Sequence, residues 1–373
     1  MKRQPIRIAL AALAVLALVA LVVQFIRSPG PAPSPGPHPA PPGRMGPGNR
    51  PTPRLPAPRL ARAASVPQPA EAPPGNSLAD LYRNGSLPEL TRPQIEAYLE
   101  QNKRNADSLM AVSRLTNDLS FLREAAEKFP SDPRVQLDLA VRGETPEERR
   151  KAIDALRQAA PDNSLADYLQ AADHLQAGLT DDAVNDLVQA HGKTGFADYL
   201  ADYAQAAEEA YLSAGYTALQ AKMAGMMGVS MPYFQQLMNL SRLMGDLQGQ
   251  YRQEGDVESA EALCGLGLGL AERVQAQPGQ TLIAGLVGTA VERRMLTALA
   301  PDAVTSDGRA VTDRLADLDA RVKSVRDLTR LSQIVPTLPE REAMTYFDRV
   351  KLQGEAAALR WLREKHGDAT PPP

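Results

Sequence analysis

Proline is segregated along this chain. Between Ser28 and Gly75 there are 17 prolines in 48 residues. Each one fixes φ and removes a backbone donor, so neither a helix nor a sheet ladder survives there and extended polyproline-like conformations dominate. Residues 27–75 are therefore expected to be a disordered, Pro-rich linker, and whatever folds must lie beyond it, in residues 76–370. At about 3.1 Å per residue the fully extended linker would reach roughly 150 Å.

Ahead of the linker, Ile8 to Ile26 is a run of 19 residues with Gln24 as its only strongly polar side chain. As a helix it is about 30 Å long, the thickness of a bilayer's hydrocarbon core. It reads as a transmembrane helix that anchors the chain in membrane lipid. A cleaved signal peptide is the competing reading. The run is long for one, however, and neither an A-x-A-like site nor a lipobox-like cysteine follows before Arg27 and Pro29. Lys2, Arg3 and Arg7 precede the span and only Arg27 follows it closely. This asymmetry places residues 1–7 in the cytoplasm and the body outside it, which in a bacterium means an inner-membrane protein whose body is in the periplasm.

Residues 1–75 hold nine Lys or Arg against one Glu, a net +8, while the whole chain is −3, so the remainder carries −11. Such an acidic body repels phosphate backbones, and no nucleic acid is expected among its partners. The arginines of the linker, Arg44, Arg50, Arg54, Arg59 and Arg62, meet no acid until Glu71 and suit either solubility or contact with an anionic surface. With one cysteine, Cys264, no internal disulfide can form, and that residue reads as a small buried hydrophobe.

The body is poor in β-branched and aromatic residues and rich in Ala, Leu, Glu, Gln and Arg, which lose little entropy in a helix. It is expected to be all-α. Start and stop signals divide it into short helices in series. Thr145, Pro146 and Glu148, for example, combine a cap, a first-turn proline and a capping-box acid, opening a helix to about Ala160. Other helices are expected at roughly 93–104, 106–129, 133–142, 164–177, 180–190, 197–213, 216–227, 231–254, 256–276, 279–300, 308–333 and 339–366. Thr281 to Val291 is uncharged and apolar but too short to span a bilayer, so it should be a buried core helix. The only tryptophan, Trp361, falls in the final helix and is expected to pack a cap rather than bind a ligand.

Small residues recur at matched positions. From Pro161 the chain runs through Ala171, Gly178, Ala183, Leu187 and Ala190; a second copy has Tyr251, Gly255, Ala260, Cys264 and Gly267, the last four at the spacing of Gly178 to Ala190. A partial third copy has Pro130, Leu139, Ala140, Ala152 and Ala159. Alanine lets two antiparallel helices approach closely, and glycine supplies the left-handed turn between them. Over about residues 119–276 this pattern resembles the tetratricopeptide repeat (TPR) family. The resemblance implies stacked helix pairs, an α-solenoid, with a concave groove that holds a partner peptide. It also implies which residues line that groove: Tyr168, Ala172 and Leu175 in the first copy, and Arg242, Gly245, Gly249 and Arg252 in the second.

No constellation demands a reaction. His38, His174, His191 and His366 are scattered, so no metal ligand set and no cofactor is expected. Gly192, Lys193 and Thr194 echo the end of a phosphate loop, but Leu187 stands where its first glycine belongs. Gly265, Gly267 and Gly269 fail the dinucleotide pattern because Leu270 follows. Six methionines between Met223 and Met244 read as core filling rather than as a soft-metal site or a partner surface. No catalytic residue is assigned. The sequence thus favours a membrane-tethered helical-repeat scaffold or adaptor that binds another envelope protein. The alternative is a helical cell-envelope enzyme, possibly one acting on cell-wall glycan.

Overall fold

The computed structural model describes residues 88–367 apart from 229, 230, 278 and 306. The expected anchor at 8–26, the linker at 27–75 and the start of the body at 76 lie outside the described residues. Among the described residues no helix is long and apolar enough to cross a membrane.

The body is all-α, with fifteen α-helices and no strand among the described residues. The helices are α1 (Arg92–Gln101), α2 (Ala106–Thr116), α3 (Leu119–Lys128), α4 (Pro133–Arg142), α5 (Pro146–Ala159), α6 (Leu165–Gln176), α7 (Thr180–Gly192) and α8 (Leu200–Ser213). They continue as α9 (Ala218–Met227), α10 (Tyr233–Gln253), α11 (Val257–Gln275), α12 (Leu282–Thr297), α13 (Val311–Leu331), α14 (Glu340–Gln353) and α15 (Glu355–His366), with a 3-10 turn, Ser332–Thr337, before α14. Thr145 caps α5 as its sequence suggests, accepting from the Glu148 amide at 3.1 Å.

Most helix ends fall within three residues of expectation, but two expected helices are each divided. The stretch 106–129 breaks at Asn117, which adopts the left-handed conformation (φ 56°), and Asp118 then caps α3 by accepting from the Ser120 amide. The stretch 339–366 breaks at Gly354, where φ is +87°. In both cases one residue in a left-handed conformation interrupts an otherwise continuous apolar period.

Helices α2 to α7 pack in sequence order, each on the next, as a repeat array does. The order then breaks. Helix α8 packs back on α1 and α2 rather than continuing the stack, and Tyr203 also ties it to α4 by donating its hydroxyl to the Arg134 carbonyl at 2.9 Å. From α8 the contacts pass through α9, α14, α15, α13, α12 and α10 to α6, closing a circuit around the body.

The largest core joins α4–α7 with α10–α12, through Leu156, Leu169, Leu187, Leu237 and Val291 among others. A second lies among α9, α14 and α15, and a third among α1, α2, α3 and α8. Helix α12 is buried along most of its length, as the apolar run from Thr281 to Val291 leads one to expect. Trp361 packs at the edge of the second core, with the Arg349 guanidinium 5.0 Å from its ring centre.

Candidate interaction face

The two best copies of the sequence pattern are the hairpins α6–α7 and α10–α11. Gly178 and Gly255 make their turns with φ of +75° and +83°, a conformation that a Cβ disfavours. Ala171, Ala183 and Ala190 are fully buried between the helices of the first hairpin, and Ala260 and Cys264 are buried in the second. Although α8 and α9 separate them in the chain, the hairpins stack directly, α6 on α10 and α7 on α11. The body is therefore repeat-like.

That stacking decides where the expected groove residues go. Tyr168 and Ala172 are 0% and 3% exposed, and Leu175 is half-buried against the same core. The Tyr168 ring lies 6.5 Å from that of Phe196, and its hydroxyl lies beside the Arg273 guanidinium. Burial pushes that hydroxyl's pKa up to about 12. These three residues face helices of their own chain.

On α10, Leu237, Leu240 and Met244 form an inward stripe, while Arg242 and Arg252 stay outside. Arg242 is exposed and pairs with Asp246 at 3.1 Å, while Arg252 is exposed and donates to the Ala298 carbonyl. Between them Gly249 opens onto free space. Gly245 does not: a Cβ there would meet Cγ of Arg294 at 3.0 Å, so the Arg294 side chain fills that position. Arg242, Gly245, Gly249 and Arg252 share one outer strip, apart from Tyr168, Ala172 and Leu175.

Two buried polar networks left no periodic signal in the sequence. Asp167, fully buried on α6, pairs with Arg157 at 2.9 Å and with Lys193, so the lysine of the phosphate-loop echo is held by a carboxylate. Arg157 also reaches Asp186, which in turn meets His174 Nδ1 at 2.8 Å; burial raises the Asp186 pKa above the usual carboxylate range, with Arg157 opposing. In the other network Asp138 of α4 accepts from Arg114 and Arg142. Beside it Tyr203, Tyr233 and Asp198 line a concavity with room for about one water molecule. Acids and bases of this kind look the same in sequence whether they face solvent or each other.

Comparison of the chain with protein-family models, curated proteins and solved structures finds no match. Of the methionines between 223 and 244, Met223, Met238 and Met244 are buried and Met226 and Met231 pack against cores, while Met227 is 41% exposed. All but Met227 fill gaps between helices, as the sequence suggests.

Proposed function

We propose that this chain is a membrane-tethered helical scaffold that binds another envelope protein on the extracytoplasmic side and has no chemistry of its own. In this reading residues 8–26 hold the lipid, residues 27–75 give reach, and the repeat-like body supplies the docking surface.

The observation that carries the reading is the outer strip of α10. Arg242 and Arg252 stand about 15 Å apart along the helix, with open ground at Gly249 between them. Both guanidiniums are exposed and their contacts within the chain are solvated ones, so either can turn to an incoming carboxylate. The strip suits an extended acidic peptide, with one carboxylate at each arginine.

The experiment is capture of the partner by the full chain, followed by comparison of wild type with the double variant Arg242→Ala, Arg252→Ala. Each charge-assisted contact is worth roughly 1.5–3 kcal/mol, so the variant should bind at least about a hundredfold more weakly, with an unchanged melting temperature. Equal affinity would remove the strip from the interface. Topology is tested separately by reporter fusions at the carboxyl terminus: activity of a reporter that works only in the cytoplasm would reject the placement.

A further inference from the structure

We propose that the outer face shared by α7 and α11 is a docking surface for this chain's own arginine-rich segment, residues 44–62. The inference is independent of the scaffold reading.

The two helices run side by side. At one end a Cβ on Gly269 would stand 2.6 Å from Nδ1 of His191, and Arg273 donates to the carbonyls of His191 and Lys193 at 2.7 Å. At the other end Asp181 is close enough to Tyr251 to act on its hydroxyl. Leu179 and Val257, each twelve residues before the His191–Gly269 contact, therefore lie level with one another. With Val188 they are 47%, 57% and 54% exposed, so three of the seven large apolar side chains left exposed among the described residues stand on this one helix pair. Gly265 beside them opens onto free space. Apolar surface grouped in this way marks a contact.

Charge complementarity selects the occupant. Asp181, Asp182, Glu258 and Glu261 on the same two helices are exposed, and none is in an ion pair among the described residues. The more buried acids Asp138, Asp167 and Glu292 are already matched by arginine. Arg44, Arg50, Arg54, Arg59 and Arg62 have no acid among them, and Leu55 and Leu60 directly follow two of them, so the segment offers cations and apolar side chains together. In an extended chain Leu55 and Leu60 stand about 15 Å apart, and Leu179 and Val188 are about 14 Å apart along α7.

The segment can reach this face. Pro88 is held on α8 by the Tyr211 hydroxyl, which donates to its carbonyl at 2.9 Å. The 26 residues from Arg62 to Pro88 extend to about 80 Å, against a radius of gyration of roughly 19 Å for a globular body of this length. Exposed ion pairs are individually weak and screened by salt, so a free basic peptide would hold poorly. A tethered one is present at an effective concentration on the order of millimolar, and several pairs then act together.

The test uses the full chain in nonionic detergent, with Cys264→Ala removing the one native thiol. Ala57→Cys, between Arg54 and Arg59, is combined either with Ala262→Cys, exposed on α11, or with Ala320→Cys, exposed on α13. We expect the 57–262 disulfide to form at least about tenfold faster than the 57–320 one at low salt. That lead should vanish in about 1 M salt, where screening acts within a few ångströms. It should also vanish when the five arginines are changed to Gln. A body variant with Asp181→Asn, Asp182→Asn, Glu258→Gln and Glu261→Gln should lose it too, although less negative charge near the thiol introduced at 262 favours its thiolate and by itself would speed the reaction. The comparison of the two cysteine pairs needs neither set of variants. The proposal is overturned by equal rates for the two pairs at low salt, or by a lead that survives loss of the arginines. Disulfides that form between molecules and disappear on dilution overturn it as well, because the occupant would then be the segment of a second copy.

Discussion

The guanidinium of Arg114 lies 3.5 Å from the ring centre of Tyr203, joining α2 to α8 across 89 positions of sequence. The same guanidinium reaches Asp138 at 2.7 Å, and Arg142 holds the other oxygen of that carboxylate at 3.1 Å. The carboxylate is wholly buried, and its two arginine side chains are only 11% and 12% exposed. The first break in the repeat order is therefore secured by a desolvated charge network.

Removing one member of such a network leaves the others uncompensated. Asp138→Ala should destabilise the body by about 3–5 kcal/mol, read as a lower urea midpoint, because two nearly buried arginines lose their counter-ion. A change below about 1 kcal/mol would mean that water already solvates the pair.

Gln248 makes the opposite case. Gln248 is wholly buried and its amide meets the Cys264 thiol, a weak partner, so replacing it with an apolar side chain of similar size removes most of a desolvation cost, and Gln248→Leu should stabilise the protein by about 1 kcal/mol. Thermal unfolding measures it. A lower melting temperature would show that the amide has a stronger partner in solution.

Acid should loosen the amino-terminal end of the body. Hydrogen bonds from Arg104, assisted by Lys128 and opposed by burial, hold the Glu124 carboxyl at about 2 instead of 4.5. A depressed carboxylate pKa contributes stability that is fully present above the unfolded value and is lost as pH falls through the folded one. Wild type should therefore lose stability more steeply than Glu124→Gln between pH 4.5 and about 2. Parallel urea midpoints for the two proteins across that range would contradict the role of Arg104.

Gly354 separates α14 from α15 with φ of +87° and ψ of 159°, a region essentially reserved for glycine. A Cβ there would also stand 2.9 Å from the Gln280 carbonyl oxygen. Gly354→Ala should cost about 1–3 kcal/mol and lower the melting temperature. A neutral effect would show that the two helices can join without disturbing residue 280.

The all-α class, most helix ends, the glycine turns at 178 and 255 and the burial of α12 are legible in the sequence because each depends on near neighbours. Apolar period, capping residues and left-handed turns act over one or two helical turns. Even the two missed breaks, at Asn117 and Gly354, are local events whose residues carry the signal. Which helix packs against which is another matter. Nothing near Tyr203 says that its hydroxyl will meet the carbonyl of Arg134, and nothing near Tyr168 says that α10 will cover it. Those choices rest on burial shared between segments far apart in the chain, so only the tertiary structure decides them. The candidate face divides in the same way: the outer strip from Arg242 to Arg252 follows from helical period alone, whereas Tyr168 and Ala172 were withdrawn from solvent by the return of α8 to α2 and the stacking of α10 in its place.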